Sequence, residues 1–478
     1  MTEATANTAQ QRMCEIRDTC PTRPRQYGLW ALSTGGILLD GMTLAALAIS
    51  LPLIKQTFSM TPFMIGAVSS GSVVGMAIGA IIGGRASDRM GRRRLFLFSM
   101  SLITLAAFGS TFAWAPGIIL LTQFLIGLGQ GSEFPNSSAY VSEIMPTRLR
   151  SRMLVATITA QPVGMLLGVG LGYLLLRASP ETDTWRYFLG SRAAVGALVV
   201  ILRRFRMPES PIWLMHRGEN AEAAKVLASL APDSAKELTK LASQAGDQQF
   251  SSGEHPKGSS VGLSVLFSPQ YRRLILLTAV PWFLMDITTY GVGHFSPSVL
   301  AALSSGQGSG GTIAAEFASI EGASILDAFL LLGSVLALWL VPRVGEIKMQ
   351  RIGFVGMVVG MLILVIAEGA HAKATMILVL AGFSISNLMR NMGPNSTTFS
   401  LPALLFPSEI RATAAGFSAA CAKVGATCGT LFLPMLTKAI GLQYTLAILA
   451  GLSGVAWFVT ARLGAGLTTK KSQGGTRA

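Results

Sequence analysis

Twelve long apolar runs dominate this chain and constrain its fold more than any other feature of the sequence. A helix needs about 20 mostly apolar residues to cross the hydrocarbon core of a bilayer. The runs lie at 29–54, 62–84, 95–114, 117–138, 153–177, 186–205, 272–300, 322–341, 352–370, 374–403, 412–435 and 441–462. They occupy most of the 478 residues, so we predict an all-α membrane protein with twelve transmembrane helices.

The composition agrees with residence in a membrane. Only 13% of the residues are charged and 51% are hydrophobic, whereas about 25% of residues in a soluble domain are charged. This excludes a cytosolic enzyme, a disordered chain and a disulfide-rich secreted protein. The net charge of +15 does not point to nucleic acid, because the basic residues stand in short segments between apolar runs. We expect the lipid bilayer, and no nucleic acid, as a partner.

The basic residues concentrate in alternate connections between the runs. Arg85–Arg94, Arg148–Arg152 and Arg343–Arg351 fall in even-numbered connections, while the odd-numbered ones carry few. Cytoplasmic loops are enriched in Lys and Arg, so we predict that both termini are cytoplasmic. The compact loops and the lack of a signal peptide favour a bacterial inner membrane.

The runs form two similar halves, 29–205 and 272–462. The remaining segments are an N-terminal tail, a cytoplasmic linker with one amphipathic helix, and a C-terminal tail, at 1–28, 206–271 and 463–478. Short motifs recur between the halves at one offset: Pro146–Arg150 with Pro407–Arg411, Gly164 with Gly425, and Gly168 with Gly429. Two six-helix repeats place a substrate site between them, near the bilayer midplane.

Few costly polar residues interrupt the runs, and such residues are functional candidates by default. They are Asp40, Glu133, Gln161, Asp286, Asn395 and Lys423. Trp282, Asp286 and Tyr290 are spaced i, i+4, i+8, so they share one helix face. Pro135, Pro162 and Gly393-Pro394 predict breaks beside the candidates. The alternative is that these side chains are paired for packing, with Lys423 in an ion pair with Asp40 or Asp286.

The connection from Gly84 to Arg94, between the second and third predicted spans, contains the most specific short motif of the chain. It combines glycines for close helix approach, an acid suited to a helix N-terminus, and arginines for the cytoplasmic face. This stretch resembles the loop 2–3 signature of the major facilitator superfamily. Pro342-Arg343-Val344-Gly345 looks like its second-half copy. Pro208–Leu214 resembles the mark of the sugar-porter-like branch. The resemblance spans about 29–462 and implies two pseudo-symmetric six-helix bundles.

Within that branch, Trp282–Tyr290 and Gly393–Phe399 resemble phosphate:proton symporters and related bacterial metabolite transporters. The resemblance implies a substrate site formed by Gln161, Trp282, Asp286, Tyr290, Asn395, Lys423 and Phe134. It implies proton coupling through Asp40, Glu133 and Asp286. It also implies a conformational latch at Gly84, Asp88, Arg89, Gly91, Arg92, Arg93, Arg150 and Arg411.

Two departures from the phosphate symporters leave the substrate open. Thr43 replaces a second acid on span 1, and Phe134 replaces a tyrosine on span 4. We therefore expect protons and a small-molecule substrate, either phosphate or a similar anion, or a larger polar metabolite. Alternatives are a carrier that exports a drug, and a non-transporting membrane sensor. The four histidines are dispersed along the chain, so we expect no catalytic centre and predict that the protein is not an enzyme. We also expect a monomer with no cofactor and no metal.

Overall fold

The computed structural model describes residues 3–246, 263–293, 312–367 and 372–467. These ranges consist of helices joined by short turns and contain no strand. The helices are α1 (Glu3–Thr19), α2 (Pro24–Phe58), α3 (Pro62–Met90), α4 (Arg92–Thr111), α5 (Pro116–Ile144), α6 (Thr147–Ala178), α7 (Trp185–Arg206), α8 (Pro211–His216), α9 (Asn220–Leu230), α10 (Ala235–Ala245), α11 (Arg272–Gly293), α12 (Thr312–Val344), α13 (Glu346–Ala367), α14 (Ala372–Arg390), α15 (Ser396–Leu405), α16 (Arg411–Ile440) and α17 (Leu442–Leu463).

Helices α2–α7 and α11–α17 correspond to the two predicted sets of six spans, with α14 and α15 forming one interrupted span. In the described ranges, nine helices are long and apolar enough to cross a membrane by themselves. The all-α membrane fold is thus confirmed. The end of the predicted seventh span at 294–300, the Ser/Gly/Pro-rich part of the linker at 251–260 and most of the C-terminal tail lie outside the described residues.

Of the three predicted helix breaks, the structure contains one. A π-helical turn at Asn391–Asn395 separates α14 from α15 and contains Gly393 and Pro394. Proline cannot donate the backbone hydrogen bond that a regular helix needs, and π-turns absorb such an irregularity. The predictions at Pro135 and Pro162 are wrong, because α5 and α6 run through both residues. A proline inside a span is tolerated where neighbouring helices cover the freed backbone groups.

Matching glycines make matching helix crossings in the two halves. A methyl group on Gly164 would collide with the backbone oxygen of Leu38, and one on Gly425 with the backbone oxygen of Phe283. Small residues let the backbones of two membrane helices approach closely. Helix α6 therefore packs on α2 as α16 packs on α11, which is the relationship that the repeat predicts.

The N-terminal tail and the linker fold together instead of forming separate segments. The linker contains the three short helices α8, α9 and α10 where we predicted one. Met13 of α1 packs in an apolar cluster with Leu227 and Leu238 of the linker, and Arg12 pairs with Glu237 at 3.0 Å. Helices of about 11 residues are marginal alone in water, so their apolar faces need this shared cluster.

Candidate functional site

The first half contributes a carboxylate and an amide to the centre of the molecule. Asp40 lies near the middle of α2 and is 1% exposed. Gln161, near the middle of α6, donates from Nε2 to Asp40 Oδ2 at 2.6 Å. The other carboxylate oxygen, Oδ1, is buried without a hydrogen-bond partner. Asp40 therefore keeps one acceptor position free for a proton or a ligand group.

The second half contributes an ion pair at the corresponding position. Lys423 Nζ of α16 lies 3.1 Å from Asp286 Oδ2 of α11 and donates to Tyr290 Oη at 3.2 Å. Asp286 and Lys423 are buried, while Tyr290 retains partial exposure. The ion pair that we named as the alternative role of Lys423 is present, and its partner is Asp286.

These two groups lie within electrostatic range of each other across the interface between the halves. The charge of Lys423 acts on Asp40 as well as on Asp286. Lys423 Nζ also lies 5.8 Å from the centre of the Phe134 ring of α5, and Phe134 contacts Phe399 of α15 edge-on. The arrangement joins one cation to carboxylates from both halves beside an aromatic wall.

Trp282 and Asn395 complete the predicted substrate site from two directions. Trp282 shares an apolar cluster with Phe134 and Phe399. Asn395 is the last residue of the π-turn. It is partly exposed and donates from Nδ2 to Asn391 Oδ1 at 2.7 Å. Asn391 in turn donates to the backbone oxygen of Leu330 in α12. The π-turn thus fixes the orientation of an amide that is partly accessible in the second half.

Glu133 does not join this central site. Arg203 of α7 holds it in a bidentate ion pair, with Nη1 to Oε1 at 2.7 Å and Nη2 to Oε2 at 2.8 Å. Ser99 donates to the same carboxylate at 2.5 Å. Neighbouring residues of a helix point about 100° apart, so Phe134 faces the interface while Glu133 points into the first half. The pairing stabilises that half and leaves Asp40 as the central acid there.

A network at the 84–94 connection closes one side of the interface, which we call the latch side. Asp88 Oδ2 accepts from the backbone amide of Thr413 at 2.9 Å and from its hydroxyl at 2.8 Å. Thr413 lies in the first turn of α16, where backbone amides lack helix partners. Gly84 lies so close to Ala412 and Gly416 that a side chain would collide with the backbone of α16. The acid of one half therefore caps a helix of the other.

Arg92 connects Asp88 to a buried glutamate. It lies 3.0 Å from Asp88 Oδ1 and makes two hydrogen bonds to Glu143, at 2.9 and 3.0 Å. Arg411 of the second half approaches Glu143 at 3.5 Å. Glu143 thus lies between arginines of both halves.

Glu209, which follows α7, fixes the start of α4. It accepts from the backbone amides of Arg92 and Arg93, at 2.8 and 3.2 Å, although burial raises the pKa of its carboxyl. Gly91 has φ +96°, and any side chain there would collide with Glu209. The turn therefore needs glycine for its conformation and for the space that Glu209 takes.

The other predicted latch arginines have different roles. Arg150 pairs with Asp18 of α1 at 2.7 Å, so it ties the N-terminal helix to α6 instead of bridging the halves. Arg93 donates to the backbone oxygen of Arg204, and Arg89 is exposed. A separate bridge joins the halves through Ser151 and Glu346 at 2.5 Å.

Sequence reasoning missed several functional candidates. Arg203 begins a run of basic residues at the end of the predicted span 186–205, where the sequence does not distinguish it from an arginine that flanks the membrane. Arg390 at the end of α14 acts electrostatically on Asp286, and Asp327 of α12 lies within range of Arg390. Both Arg390 and Asp327 stood at or inside predicted spans, so the signal that identified Asp286 could also have found them.

The comparisons with known proteins decide the family. A profile described as sugar (and other) transporter matches residues 42–463. The chain belongs to this family of major facilitator superfamily transporters. It is 28% identical over 454 residues to the inner membrane metabolite transport protein YgcS of Escherichia coli (strain K12), covering 95% of this chain and 94% of the relative.

Two further similarities agree with that assignment. The chain is 26% identical to the probable inorganic phosphate transporter 1-6 of Arabidopsis thaliana, with 94% of this chain and 93% of the relative covered. It superposes on the proton:xylose symporter XylE bound to 6-bromo-6-deoxy-D-glucose with a TM-score of 0.76, at 20% identity and with 94% and 98% coverage. The protein is therefore a multi-pass membrane transporter of the sugar and metabolite class, and it is not an enzyme.

Proposed function

We propose that this transporter couples protons to the movement of a small anion or polar metabolite by alternating access. The proposal rests on one observation: the two halves bury Asp40, Asp286 and Lys423 within electrostatic range of one another. Titratable groups buried within spans are expensive and are typical of proton and substrate pathways. Asp40 and Asp286 are the proposed proton carriers. Glu133, held by Arg203, has a structural role in this proposal.

The charge balance of this group supplies a coupling mechanism. With both acids ionised, Lys423 is held in its ion pair with Asp286 and has little charge to offer an added anion. A proton on Asp286 would end that ion pair and leave Lys423 without a directly bonded counter-charge, with only the charge of Asp40 acting on it from beyond ion-pair distance. Because a buried charge is costly without a partner, Lys423 then favours a negatively charged substrate group. Proton binding and anion binding thus reinforce each other.

The aromatic wall favours an organic anion over inorganic phosphate. Phe134 offers a ring where the phosphate symporters have a hydroxyl, and it packs against Phe399. A phosphate ion needs hydrogen-bond donors on every side, and a missing one is costly in a polar site. An organic anion can place its apolar body against the wall and its charged group at Lys423.

An uncharged sugar is the second candidate substrate. The family includes sugar transporters by its description. Gln161 and Asn395 offer amides, and Trp282 offers an aromatic ring, which are groups suited to hydroxyl-bearing ligands. A sugar would leave the Lys423–Asp286 pair intact, so its binding would not depend on the charge of Lys423.

A thermal-shift screen of the purified protein separates these candidates. Organic carboxylates, phosphate, sulfate and sugars are tested at several pH values, on the wild type, Lys423→Met and Asn395→Ala. We expect stabilisation by an organic anion that is stronger at low pH and is lost in Lys423→Met. Stabilisation by a sugar that survives in Lys423→Met would favour the second candidate. Substrate counterflow in proteoliposomes then verifies transport of the compound.

We further propose that the latch side is the cytoplasmic side of a bacterial inner membrane, and that the protein works as a monomer. The arginines at 85–94 and 148–152 support this orientation through the positive-inside bias. The central site lies within one chain, so transport needs no second copy. Labelling of the exposed position 89 as Arg89→Cys, in intact cells and in inverted vesicles, tests the orientation.

A further inference from the structure

Three buried polar side chains of the first half lack partners for some of their polar atoms. The atoms are Ser50 Oγ, Gln123 Nε2 and Oε1, and Arg192 Nη1 and Nη2. Ser50 and Gln123 have no exposed surface, and Arg192 is 1% exposed. The structure shows no ion pair of Arg192 with a described acidic residue, and no described acid acts on its charge. The other two most deeply buried arginines differ, since Arg92 and Arg203 each pair with a glutamate.

The three side chains lie at one level of the bundle, on α2, α5 and α7. Two apolar clusters enclose that level, and the same three helices contribute to both. The cluster on the side away from the latch includes Ile49, Ile119 and Leu189. The cluster nearer the latch includes Met42, Ile126 and Ala193. Along α5 and α7, Gln123 and Arg192 lie between the two clusters, and along α2 Ser50 lies between Ile49 and Leu53 of the first cluster. We call these three side chains the polar layer.

Helix register and one hydrogen bond turn these side chains toward each other. Gln130 of α5 donates to Thr43 of α2 at 2.8 Å. The two helices are antiparallel, so seven residues further along each, about two turns, Gln123 reaches the level of Ser50. Arg192 Nε donates to the backbone oxygen of Leu189 at 2.9 Å. This bond directs the guanidinium toward the start of α7, which is the direction of the Ser50 and Gln123 level.

An uncompensated guanidinium inside a membrane bundle is too costly to be left without a partner. The layer offers hydrogen-bond donors from Arg192, Gln123 and Ser50, and its acceptors, Gln123 Oε1 and Ser50 Oγ, carry no charge. A single positive charge calls for a single negative charge, and the deep burial of Ser50, Gln123 and Arg192 favours a small ion. We propose that Ser50, Gln123 and Arg192 bind one small monovalent anion of the halide class inside the first half.

This site is separate from the transport site. Asp40 and Lys423 interact with each other and with Asp286, and Arg192 is not among the groups that act on them. The anion neutralises Arg192 and joins α2, α5 and α7 at one level, so it stabilises the first half as a unit. Its binding does not require a proton or a substrate at the centre.

The test measures the thermal stability of the detergent-solubilised full chain against chloride and bromide. Sodium methanesulfonate replaces the halide at constant ionic strength, because methanesulfonate is monovalent but much larger than a halide. For the wild type we expect a saturable rise in Tm of about 3 °C at a halide concentration near 100 times Kd. Equilibrium binding of radioactive chloride should give one site per chain.

Two variants and a control make the result specific. Arg192→Gln removes the cation, and Gln123→Glu supplies a carboxylate as a built-in partner of Arg192. Both variants should lose halide binding. Gln123→Glu without halide should be as stable as the wild type with halide. The Gln123→Glu variant therefore tests the proposal even if Arg192→Gln fails to fold. Arg177→Gln alters an exposed arginine of α6 and should retain the full response. An equal halide response in Gln123→Glu, or none in the wild type, overturns the proposal and assigns the layer to water.

Discussion

Thr413 donates both its backbone amide and its hydroxyl to one carboxylate oxygen of Asp88. The two residues belong to different halves and are 325 positions apart in the chain. Hydrogen bonds to a charged group contribute about 1.5–3 kcal/mol, and these exist only while the halves touch on the latch side. The pair therefore stabilises the conformation that is closed on that side.

Removal of the Asp88 charge should shift the protein toward the conformation open on the latch side. In Asp88→Asn the hydrogen bonds from Thr413 no longer end on a charged oxygen, and a loss of 1–3 kcal/mol corresponds to a population shift of about 5–150-fold. Spin labels at Met90→Cys and Arg343→Cys, both exposed, report the distance between the halves after replacement of the native cysteines. Arg89→Gln, at an exposed site in the same turn, serves as the control. An unchanged distance distribution in Asp88→Asn would show that the pair does not hold this conformation.

Disruption of the Glu133–Arg203 pair should destabilise the protein more than it affects coupling. Glu133→Gln leaves Arg203 as an unpaired buried charge, for which a cost of about 3–5 kcal/mol is typical. Thermal unfolding measures the loss, and Glu133→Leu with Arg203→Met should recover much of it. Lys225→Ala, which removes an exposed pair with Glu222, should unfold like the wild type. If the double variant is stable but its uptake no longer depends on pH, Glu133 carries protons after all.

Asp286→Asn should abolish the pH dependence of uptake. Asparagine cannot take up a proton, and it leaves Lys423 permanently without its ion-pair partner. Proteoliposome uptake is measured over a series of external pH values, with Asp183→Asn, at a largely exposed carboxylate, as the matched control. We expect the wild type and the control to respond to pH and Asp286→Asn to show a flat profile. A wild-type profile in Asp286→Asn would remove this residue from the coupling mechanism.

Alanine at Gly164 should be far less tolerated than alanine at Gly170 of the same helix. A methyl group at Gly164 collides with the backbone of α2, while Gly170 has open space around it. Overpacking typically costs about 1–3 kcal/mol, whereas Gly→Ala in an open helix position gains up to about 1 kcal/mol. Thermal unfolding of both variants gives the comparison. The repeat predicts the same contrast in the second half between Gly425→Ala and Gly451→Ala, and equal stability within either pair would contradict the close crossing.

Much of the central site could be predicted from the sequence. Asp40, Gln161, Asp286 and Lys423 stand out because a polar residue in an apolar run is visible without knowledge of the fold, and the structure joins them in pairs. Helix geometry also predicts that the neighbours Glu133 and Phe134 point in different directions. The sequence does not tell which of the two points toward the interface.

The sequence by itself determined the spans, the two-fold repeat and the polar positions, because hydropathy and motif spacing are local properties of the chain. Only the tertiary structure decided the partners. Glu133 meets Arg203, Arg150 meets Asp18, and Asp88 meets Thr413, at separations of 70, 132 and 325 residues. A charge on one helix can pair with several neighbours, and the choice depends on helix rotation and packing, which sequence distance does not encode.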